Sequence, residues 1–179
     1  MARFIPTLVF GILAWINISG CAAFPTDSTP ILARRAQMHM GTVVTLIVVA
    51  PSETLAQAAL AAGFFEIHRL ETLLSTWIPT SELSRVNQAA GLQPVSVSPE
   101  TMQVLTRSLE MARLTEGGFN IAVGPAVSAW NVTESTRIPS AEELEGLKPL
   151  TDLSHVILDE TRGTVWITRP GMRLDVGGI

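Results

Sequence analysis

The chain has 179 residues, a formal net charge of −4 and a single lysine, Lys148, among its 12 basic residues. This balance argues against nucleic acid as the partner, because phosphate binding needs a positively charged surface. The hydrophobic fraction of 47% is too high for an intrinsically disordered chain and is sufficient for one globular domain with a buried core.

The first twenty residues have the pattern of a secretory signal peptide. An almost wholly apolar run, from Ile5 to Ile18, follows Arg3 and is shorter than the roughly 20 residues that a membrane-spanning helix needs. Two small residues then precede Cys21, the only cysteine, in an arrangement that resembles the lipobox of bacterial lipoproteins. A lone cysteine in an exported protein cannot form an intramolecular disulfide. We therefore predict that residues 1–20 are removed and that Cys21 carries a lipid, with an incidental buried thiol as the alternative.

Residues 21–37 are predicted to contain the lipidated cysteine and a flexible tether. The stretch from Ala22 to Pro30 is rich in proline, threonine, serine and alanine and has no apolar periodicity. The folded domain is then expected to cover residues 38–179.

The first half of this domain contains a strand and a long helix. Residues 42–49 are β-branched and continuous, which predicts a strand covered on both faces. Ser52 is placed to cap a helix that runs to about Leu74. The spacing of its apolar residues predicts a packed face formed by Leu55, Ala58, Ala62, Phe65 and Leu73.

Further helices are marked by their caps. Ser81 and Ser98 are placed to cap the second and third helices, which Gly91 and Gly117 end. Ser140 opens a capping box, Ser-Ala-Glu-Glu, that starts a fourth helix. The third helix is predicted to pack through Met102, Leu105, Leu109 and Ala112.

The C-terminal stretch changes to strand periodicity. Residues 156–158 and 165–167 predict an antiparallel hairpin around a turn at 162–163, and residues 172–175 predict a further strand. The order of one strand, several helices and a hairpin predicts a mixed α+β domain rather than a repeat of βαβ units.

Metal and nucleotide motifs of the common kinds do not occur in the sequence. It contains no phosphate-binding loop, dinucleotide fingerprint, zinc-protease helix motif or cysteine pair. His39, His68 and His155 are far apart and lack the spacing of zinc ligands. We predict them to be surface or hydrogen-bonded structural residues.

Four segments together carry a resemblance to a known family: Met40-Gly-Thr, the run from Glu66 through Leu74-Ser-Thr-Trp77 to Asn87, Gly117-Gly-Phe-Asn-Ile-Ala-Val-Gly-Pro, and Leu174-Asp-Val-Gly-Gly-Ile. In this order and at these separations they resemble the N-terminal half of the ApbE family, the bacterial FAD:protein FMN transferases. The resemblance extends over residues 38–179.

The resemblance implies an enzyme that cleaves the pyrophosphate of FAD with Mg²⁺, attaches FMN to a threonine or serine of a partner flavoprotein and releases AMP. The implied partners are flavoproteins outside the cytoplasm, so a lipid anchor at Cys21 predicts a membrane-anchored protein on the periplasmic or extracytoplasmic face. An acidic chain does not attract a pyrophosphate, and a divalent cation is then a suitable means of neutralising it. A non-catalytic flavin- or metabolite-binding lipoprotein is the alternative.

The resemblance also implies the contacting residues: FAD would be contacted by Met40, Trp77, Gly118, Phe119, Asn120 and Asp175, and Mg²⁺ by the carbonyl of Gly178. Trp77 stands where relatives often have tyrosine, and Asn120 where many have aspartate. Each position also has a structural alternative: Met40 as core filler, Trp77 as a half-buried anchor, Asp175 as a solvated strand end. No catalytic residue is assigned. Relatives continue past the 175–178 stretch and carry further metal ligands there, so we expect this chain to be an N-terminal half that is inactive by itself.

Overall fold

The computed structural model describes residues 29–131 and 137–178. These residues form a mixed α+β arrangement, as predicted. In chain order the elements are β1 (Ile31–His39), β2 (Thr42–Ala50), α1 (Glu53–Leu74), α2 (Glu82–Gln88), β3 (Val95–Ser96), α3 (Pro99–Leu114), α4 (Gly124–Trp130), α5 (Ala141–Leu147), β4 (Val156–Asp159) and β5 (Thr164–Ile167).

β1 and β2 form an antiparallel hairpin in which Ile31 lies opposite Ala50 and His39 lies opposite Thr42. This strand corrects the predicted boundary of the tether, because residues 31–37 belong to the folded domain. The sequence of β1 contains two arginines and a glutamine and gives little strand signal of its own. Its pairing with β2 along the whole length supplies the hydrogen bonds that make it a strand.

Only one face of this hairpin is buried. α1 packs on that face, and a small core there consists of Ala33, Ala50, Ala56 and Leu60. The opposite face exposes Leu32, Met38, Val43, Ile47 and Val49. The prediction that the strand at 42–49 is covered on both faces is therefore wrong. Its alternating burial is that of an antiparallel strand with one side packed.

α1 has the predicted N-cap, Ser52, but packs through a different face. Four residues of the predicted face are exposed, namely Leu55, Ala58, Ala62 and Phe65. The buried residues are instead Ala56, Leu60 and Phe64. Gly63 lies beside this face, where a Cβ atom would come within 2.7 Å of the Leu46 side chain. The glycine therefore lets the helix lie close against β2.

The main core lies between the second sheet and helices α2 and α3. The strand order is β3-β5-β4, all antiparallel. The predicted hairpin is confirmed, with Val156 opposite Ile167 and Asp159 opposite Thr164, whereas the two-residue strand β3 was not predicted. On α3 the predicted packing face is confirmed by the burial of Met102, Leu105 and Ala112, with Leu109 partly buried.

Serine residues cap four helices, as predicted: Ser52, Ser81, Ser98 and Ser140. Each side-chain oxygen accepts a hydrogen bond from the backbone N–H three residues further on. At α5 the capping box is reciprocal, because Glu143 accepts from the N–H of Ser140 at 2.9 Å and Ser140 accepts from the N–H of Glu143 at 3.2 Å. These starts were predictable because a cap depends only on neighbouring residues.

The segment 172–178 does not form the predicted third strand of the C-terminal sheet. Its backbone bonds instead to the region before α4, where Asp175 N donates to Ile121 O at 2.7 Å and Gly124 N donates to Arg173 O at 3.2 Å. A Cβ atom at Gly124 would lie 2.7 Å from Arg173 O. Only glycine allows this close backbone approach.

Residues 1–28, 132–136 and 179 lie outside the described residues. The predicted signal peptide and Cys21 fall within them. Among the helices that the structure does describe, none combines the length and apolarity of a membrane-crossing segment.

Candidate functional site

A pocket of about 300 Å³ brings together the β1–β2 turn, the end of α1, the middle of α3 and the C-terminal segment. Its lining residues are Met40, Leu70, Leu74, Ser75, Thr76, Trp77, Val104, Asp175, Val176 and Gly177. The lining is mostly apolar and includes one carboxylate, that of Asp175. Three residues predicted to contact FAD from separate parts of the sequence, Met40, Trp77 and Asp175, therefore meet in one cavity.

Met40 lies in the tight turn between β1 and β2. Its φ angle is +50°, and that of Gly41 is +73°, which is the conformation of a two-residue hairpin turn. The carboxylate of Glu71 accepts a hydrogen bond from the Met40 N–H at 2.6 Å and holds this turn against α1. The side chain of Met40 is 47% exposed at the pocket. The alternative that Met40 is core filler is therefore wrong.

Trp77 lies on the short loop between α1 and α2. The loop is held by Ser75, whose carbonyl accepts from the hydroxyls of Ser81 at 2.6 Å and Ser84 at 3.3 Å. The backbone N–H of Trp77 donates to Ser75 Oγ at 3.2 Å. The side chain of Trp77 is 74% exposed, so it is not the half-buried anchor that was the alternative. Its ring is available to a ligand in the pocket.

Asp175 is held at the pocket by its own backbone and by a local turn. Its N–H donates to Ile121 O, and its Oδ1 accepts from the N–H of Gly177 at 2.8 Å. The residue is partly buried and does not lie on a strand. The alternative of a solvated strand end is wrong for this reason.

The segment from Gly118 to Phe119 lies near the C-terminal segment but does not line the pocket. Phe119 packs on the main core, and a Cβ atom at Gly178 would lie 4.0 Å from its ring. At Gly118 a Cβ atom would lie 3.1 Å from Thr115 O, which is a tight contact at the end of α3. Local crowding is therefore one reason for glycine there, and contact of these residues with FAD and of Gly178 with Mg²⁺ stays a prediction.

Asn120 uses its side chain within the protein. Its Oδ1 accepts from the N–H of Ala122 at 2.7 Å, and its Nδ2 donates to Thr151 O at 2.8 Å. These bonds cap a short 3₁₀ turn and tie it to a neighbouring loop. The predicted contact of Asn120 with FAD remains a prediction.

The end of α3 differs by one residue from the prediction. The first left-handed residue after the helix is Glu116, with φ +52°, and Gly117 follows with φ +84°. Glu116 N donates to Arg113 O at 3.2 Å and Gly117 N to Ala112 O at 2.8 Å, the hydrogen-bond pair of a Schellman motif. The C′ position predicted for Gly117 is thus occupied by a glutamate.

Comparison with known proteins identifies the family. The model of the ApbE family matches residues 40–179 of the chain. The chain belongs to the ApbE family.

Relatives and solved structures agree with this assignment. The FAD:protein FMN transferase of Klebsiella pneumoniae (strain 342) is 36% identical over 123 residues, covering 68% of this chain and 39% of the relative. A second FAD:protein FMN transferase from the same organism is 28% identical over 173 residues, which cover 93% of this chain and 49% of the relative. The ApbE protein of Thermotoga maritima superposes with a TM-score of 0.73 at 25% identity, covering 83% of this chain and 48% of that one. The flavin transferase ApbE of Vibrio cholerae, at 23% identity and a TM-score of 0.72, shares the fold. This ApbE-family chain spans about half the length of the relatives it matches, or less.

One residue that positions the pocket was not assigned a role from the sequence. The side chain of Asn87 on α2 bonds to both the N–H and the carbonyl of Leu174. Leu174 is fully buried and directly precedes Asp175. The motif that ends in Asn87 was part of the resemblance, but no local pattern identifies a partner so distant in the chain.

Two of the three histidines, which were expected to lie far apart, meet in the structure, although His39 is hydrogen-bonded and His68 is exposed, as predicted. His39 on β1 and His68 on α1 meet beside Glu71, and one side-chain ligand atom from each of the three lies within 4.8 Å of the others. Two hydrogen bonds lower the pKa of the Glu71 carboxyl. The one from His39 has the larger effect, and the one from the Met40 N–H has the next largest. His155 has the predicted structural role, because its Nδ1 lies 2.9 Å from Thr168 Oγ1.

A larger cavity, about 580 Å³, lies at the start of α3 beside the β4–β5 turn. Its lining includes Val97, Met102, Gln103, Arg107 and Glu160. It contains none of the residues predicted to contact FAD.

Proposed function

We propose that this chain forms the flavin-binding part of an FAD:protein FMN transferase. The observation that carries the proposal is the meeting of Met40, Trp77 and Asp175 in one apolar pocket. The names of the similar Klebsiella proteins support the same activity. Because the chain spans half of those relatives or less, the activity is proposed for the protein to which this chain contributes.

The pocket suits one ring system. Its volume of about 300 Å³ lies at the lower end of the range of volumes of small-molecule sites, about 300–1,000 Å³. The exposed indole of Trp77 offers a flat surface for stacking, and the thioether of Met40 is a polarizable contact for an aromatic face. We infer that the isoalloxazine ring enters here and that the remainder of FAD extends beyond the pocket.

Charge limits what Asp175 contacts. A carboxylate beside the FAD phosphates would repel them unless a cation lay between. Carboxylate and carbonyl oxygens are donors that Mg²⁺ accepts, and this ion is commonly held by one or two carboxylates together with substrate phosphates and water. The oxygens of Asp175 and Gly178 fit this pattern in type, and we propose them as the protein's donors. When bound, Mg²⁺ would withdraw negative charge from the pyrophosphate.

The proposed reaction is a transfer of FMN to a hydroxyl group. The threonine or serine oxygen of the partner flavoprotein forms a bond to the FMN phosphorus while the bond from that phosphorus to the bridging oxygen breaks. AMP leaves with the bridging oxygen, and the hydroxyl proton is lost. The described residues are assigned to binding and orientation in this scheme, and none to proton transfer.

Mass spectrometry tests the proposal. A full-length transferase that contains these residues is incubated with FAD, Mg²⁺ and an acceptor flavoprotein domain, because this chain is expected to be inactive by itself; an acceptor whose threonine is replaced by alanine is the control. The proposal expects the acceptor to gain one FMN and AMP to appear in equal amount. Retention of FAD with no gain of mass by the acceptor would favour the alternative, a non-catalytic flavin-binding lipoprotein.

We further propose that the protein is exported and held on the extracytoplasmic face of a membrane by a lipid on Cys21, where partner flavoproteins are located. Support comes from the apolar run and small residues before this lone cysteine. Cys21→Ala is expected to leave an unprocessed precursor without lipid, which intact-mass measurement and membrane fractionation detect. A Cys21→Ala protein that still matures and stays with the membrane would contradict the proposal.

A further inference from the structure

We propose that His39, His68 and Glu71 form a binding site for a divalent transition-metal ion such as Zn²⁺ or Co²⁺. His68 and Glu71 are three residues apart on α1, which places them on one face of the helix. His39, near the turn that follows β1, reaches the same point. Among the residues that the structure describes, this is the one group of three such side chains with ligand atoms close enough to share an ion.

The surroundings of His39 orient its ring for coordination. Its Nε2 lies 3.2 Å from Gln37 Oε1, so in the tautomer that would bind an ion through Nδ1 the Nε2–H donates to this amide oxygen. In that tautomer Nδ1 directs its lone pair toward Glu71 Oε2, which lies 3.1 Å away. A lone pair facing a carboxylate is repulsive unless a proton or a cation lies between them. Metal-binding histidines typically donate their second N–H to an oxygen in this way.

Glu71 is also held in place by a group that does not bind the ion. Glu71 Oε1 accepts from the Met40 N–H, which leaves Oε2 toward the two imidazoles. His68 Nδ1 lies 3.7 Å from this Oε2. The ring of His39 stacks on Phe64 with a centroid separation of 5.7 Å, and Phe64 is buried. Two of the three ligands, His39 and Glu71, are therefore preorganised by groups that do not themselves bind the ion, and the exposed His68 completes the site.

The type and exposure of the donors indicate which ion binds and how. Two imidazoles and one carboxylate favour Zn²⁺, Co²⁺ or Ni²⁺ over Mg²⁺, which prefers oxygen. The side chain of His68 is 64% exposed, against 10% for His39 and 20% for Glu71. A bound ion would therefore face solvent, and water would complete a four-coordinate shell. This site is separate from the oxygen donors proposed for Mg²⁺, and it does not depend on FMN transfer.

Titration with Co²⁺ tests the proposal directly, because tetrahedral Co²⁺ gives intense visible absorption and Zn²⁺ displaces it. The full chain is used without a histidine tag, and Cys21 is replaced by alanine in every sample so that the lone thiol cannot bind the ion. We expect one equivalent to bind, with affinity reduced at least about tenfold by His68→Ala. His68 is exposed, so this variant is expected to fold. His155→Ala is the matched control and should bind as the parent does.

A second variant separates the metal site from a simple ion pair. Glu71→Gln keeps an oxygen for the Met40 N–H but removes the carboxylate, and it should also weaken Co²⁺ binding at least about tenfold. The proposal is overturned if the parent chain binds no Co²⁺, or if His68→Ala and Glu71→Gln bind it as tightly as the parent. In that case a hydrogen bond from the Nδ1–H of His39 to Glu71 accounts for the contact.

Discussion

The side chain of Asn87 bonds to both backbone groups of Leu174, accepting from its N–H at 2.7 Å and donating to its carbonyl at 2.9 Å. An asparagine carboxamide has the same donor and acceptor as a peptide group. Asn87 therefore acts toward Leu174 as a neighbouring strand would. This contact fixes the residue directly before Asp175, so it connects α2 to the position of the pocket carboxylate.

Replacing Asn87 by alanine should lower the stability of the fold. Leu174 is fully buried, so its N–H and carbonyl would lose their partner away from water, at a cost of about 2–4 kcal/mol for the two groups together. The urea midpoint of unfolding measures this loss. Gln88→Ala is the matched control, since Gln88 is an exposed neighbour that bonds only to Pro79 O among the contacts described. Equal midpoints for the two variants would contradict the account.

Trp77 is expected to contribute binding energy rather than stability. If its exposed ring stacks on the isoalloxazine, Trp77→Ala in a full-length version of the enzyme should weaken FAD binding by about 1–3 kcal/mol, while Trp77→Phe should retain much of the affinity. Quenching of flavin fluorescence measures the change. Leu92→Ala, at another large side chain that is 76% exposed but lies outside the pocket, should leave the affinity unchanged. Unaltered binding by Trp77→Ala would remove this residue from the proposed site.

The features that the sequence predicted are those that depend on neighbouring residues. Ser98 and Ser140 were identified as caps because the groups they satisfy lie three residues away. The hairpin of β4 and β5 was recognisable because its strands and turn are contiguous. Both require only the local chain.

The features that were missed depend on distant partners. β1 has a weak strand signal and becomes a strand through β2. Residues 172–175 looked like a strand, but their partners are Asn87 and the backbone around Ile121. The packed face of α1 was misplaced because it is defined by contact with β1 and β2, which the spacing of apolar residues within the helix does not show. The resemblance supplied the site residues, but their meeting in a pocket is a property of the fold.

Glu116 offers a stabilising substitution. Its left-handed conformation, with φ +52°, is strained for a residue that has a Cβ atom but not for glycine. Glu116→Gly should therefore raise the free energy of unfolding by about 0.5–1 kcal/mol. The adjacent Thr115→Gly is the control, because its φ is −94° and glycine there should only destabilise. Thermal unfolding of both variants measures the opposite shifts, and a loss of stability in Glu116→Gly would contradict the assigned helix end.

Glu82 should make stability depend on acid pH. Burial raises the pKa of this carboxyl, but hydrogen bonds from Thr101 at 2.6 Å and from the N–H and hydroxyl of Ser98 at 2.8 Å outweigh it, so the pKa lies below its ordinary value. A lowered pKa in the folded state stabilises the protein above the unfolded-state value of about 4.3, and this contribution is lost as the pH falls through the folded-state value.

Glu82→Gln measures that contribution. At neutral pH the variant should be less stable by about 1–3 kcal/mol, because hydrogen bonds to a charged group are replaced by weaker ones. The difference in urea midpoint between the two proteins should shrink as the pH falls below the unfolded-state value of about 4.3 and through the lower folded-state value. Glu145→Gln, at an exposed glutamate, should show little difference at neutral or at acid pH. A difference in urea midpoint between the parent and Glu82→Gln that stays constant with pH would exclude the proposed role of the Glu82 charge.

The flavin ring is proposed to occupy the pocket beside Met40 and Trp77. Methionine-methyl NMR tests it directly, because Met40 lines this pocket and Met102 lines the larger cavity. On titration with FAD, the account predicts that the Met40 methyl signal shifts and shows nuclear Overhauser contacts to isoalloxazine protons, while the Met102 signal stays in place. A shift confined to Met102, or no methyl shift at saturating FAD, would contradict it.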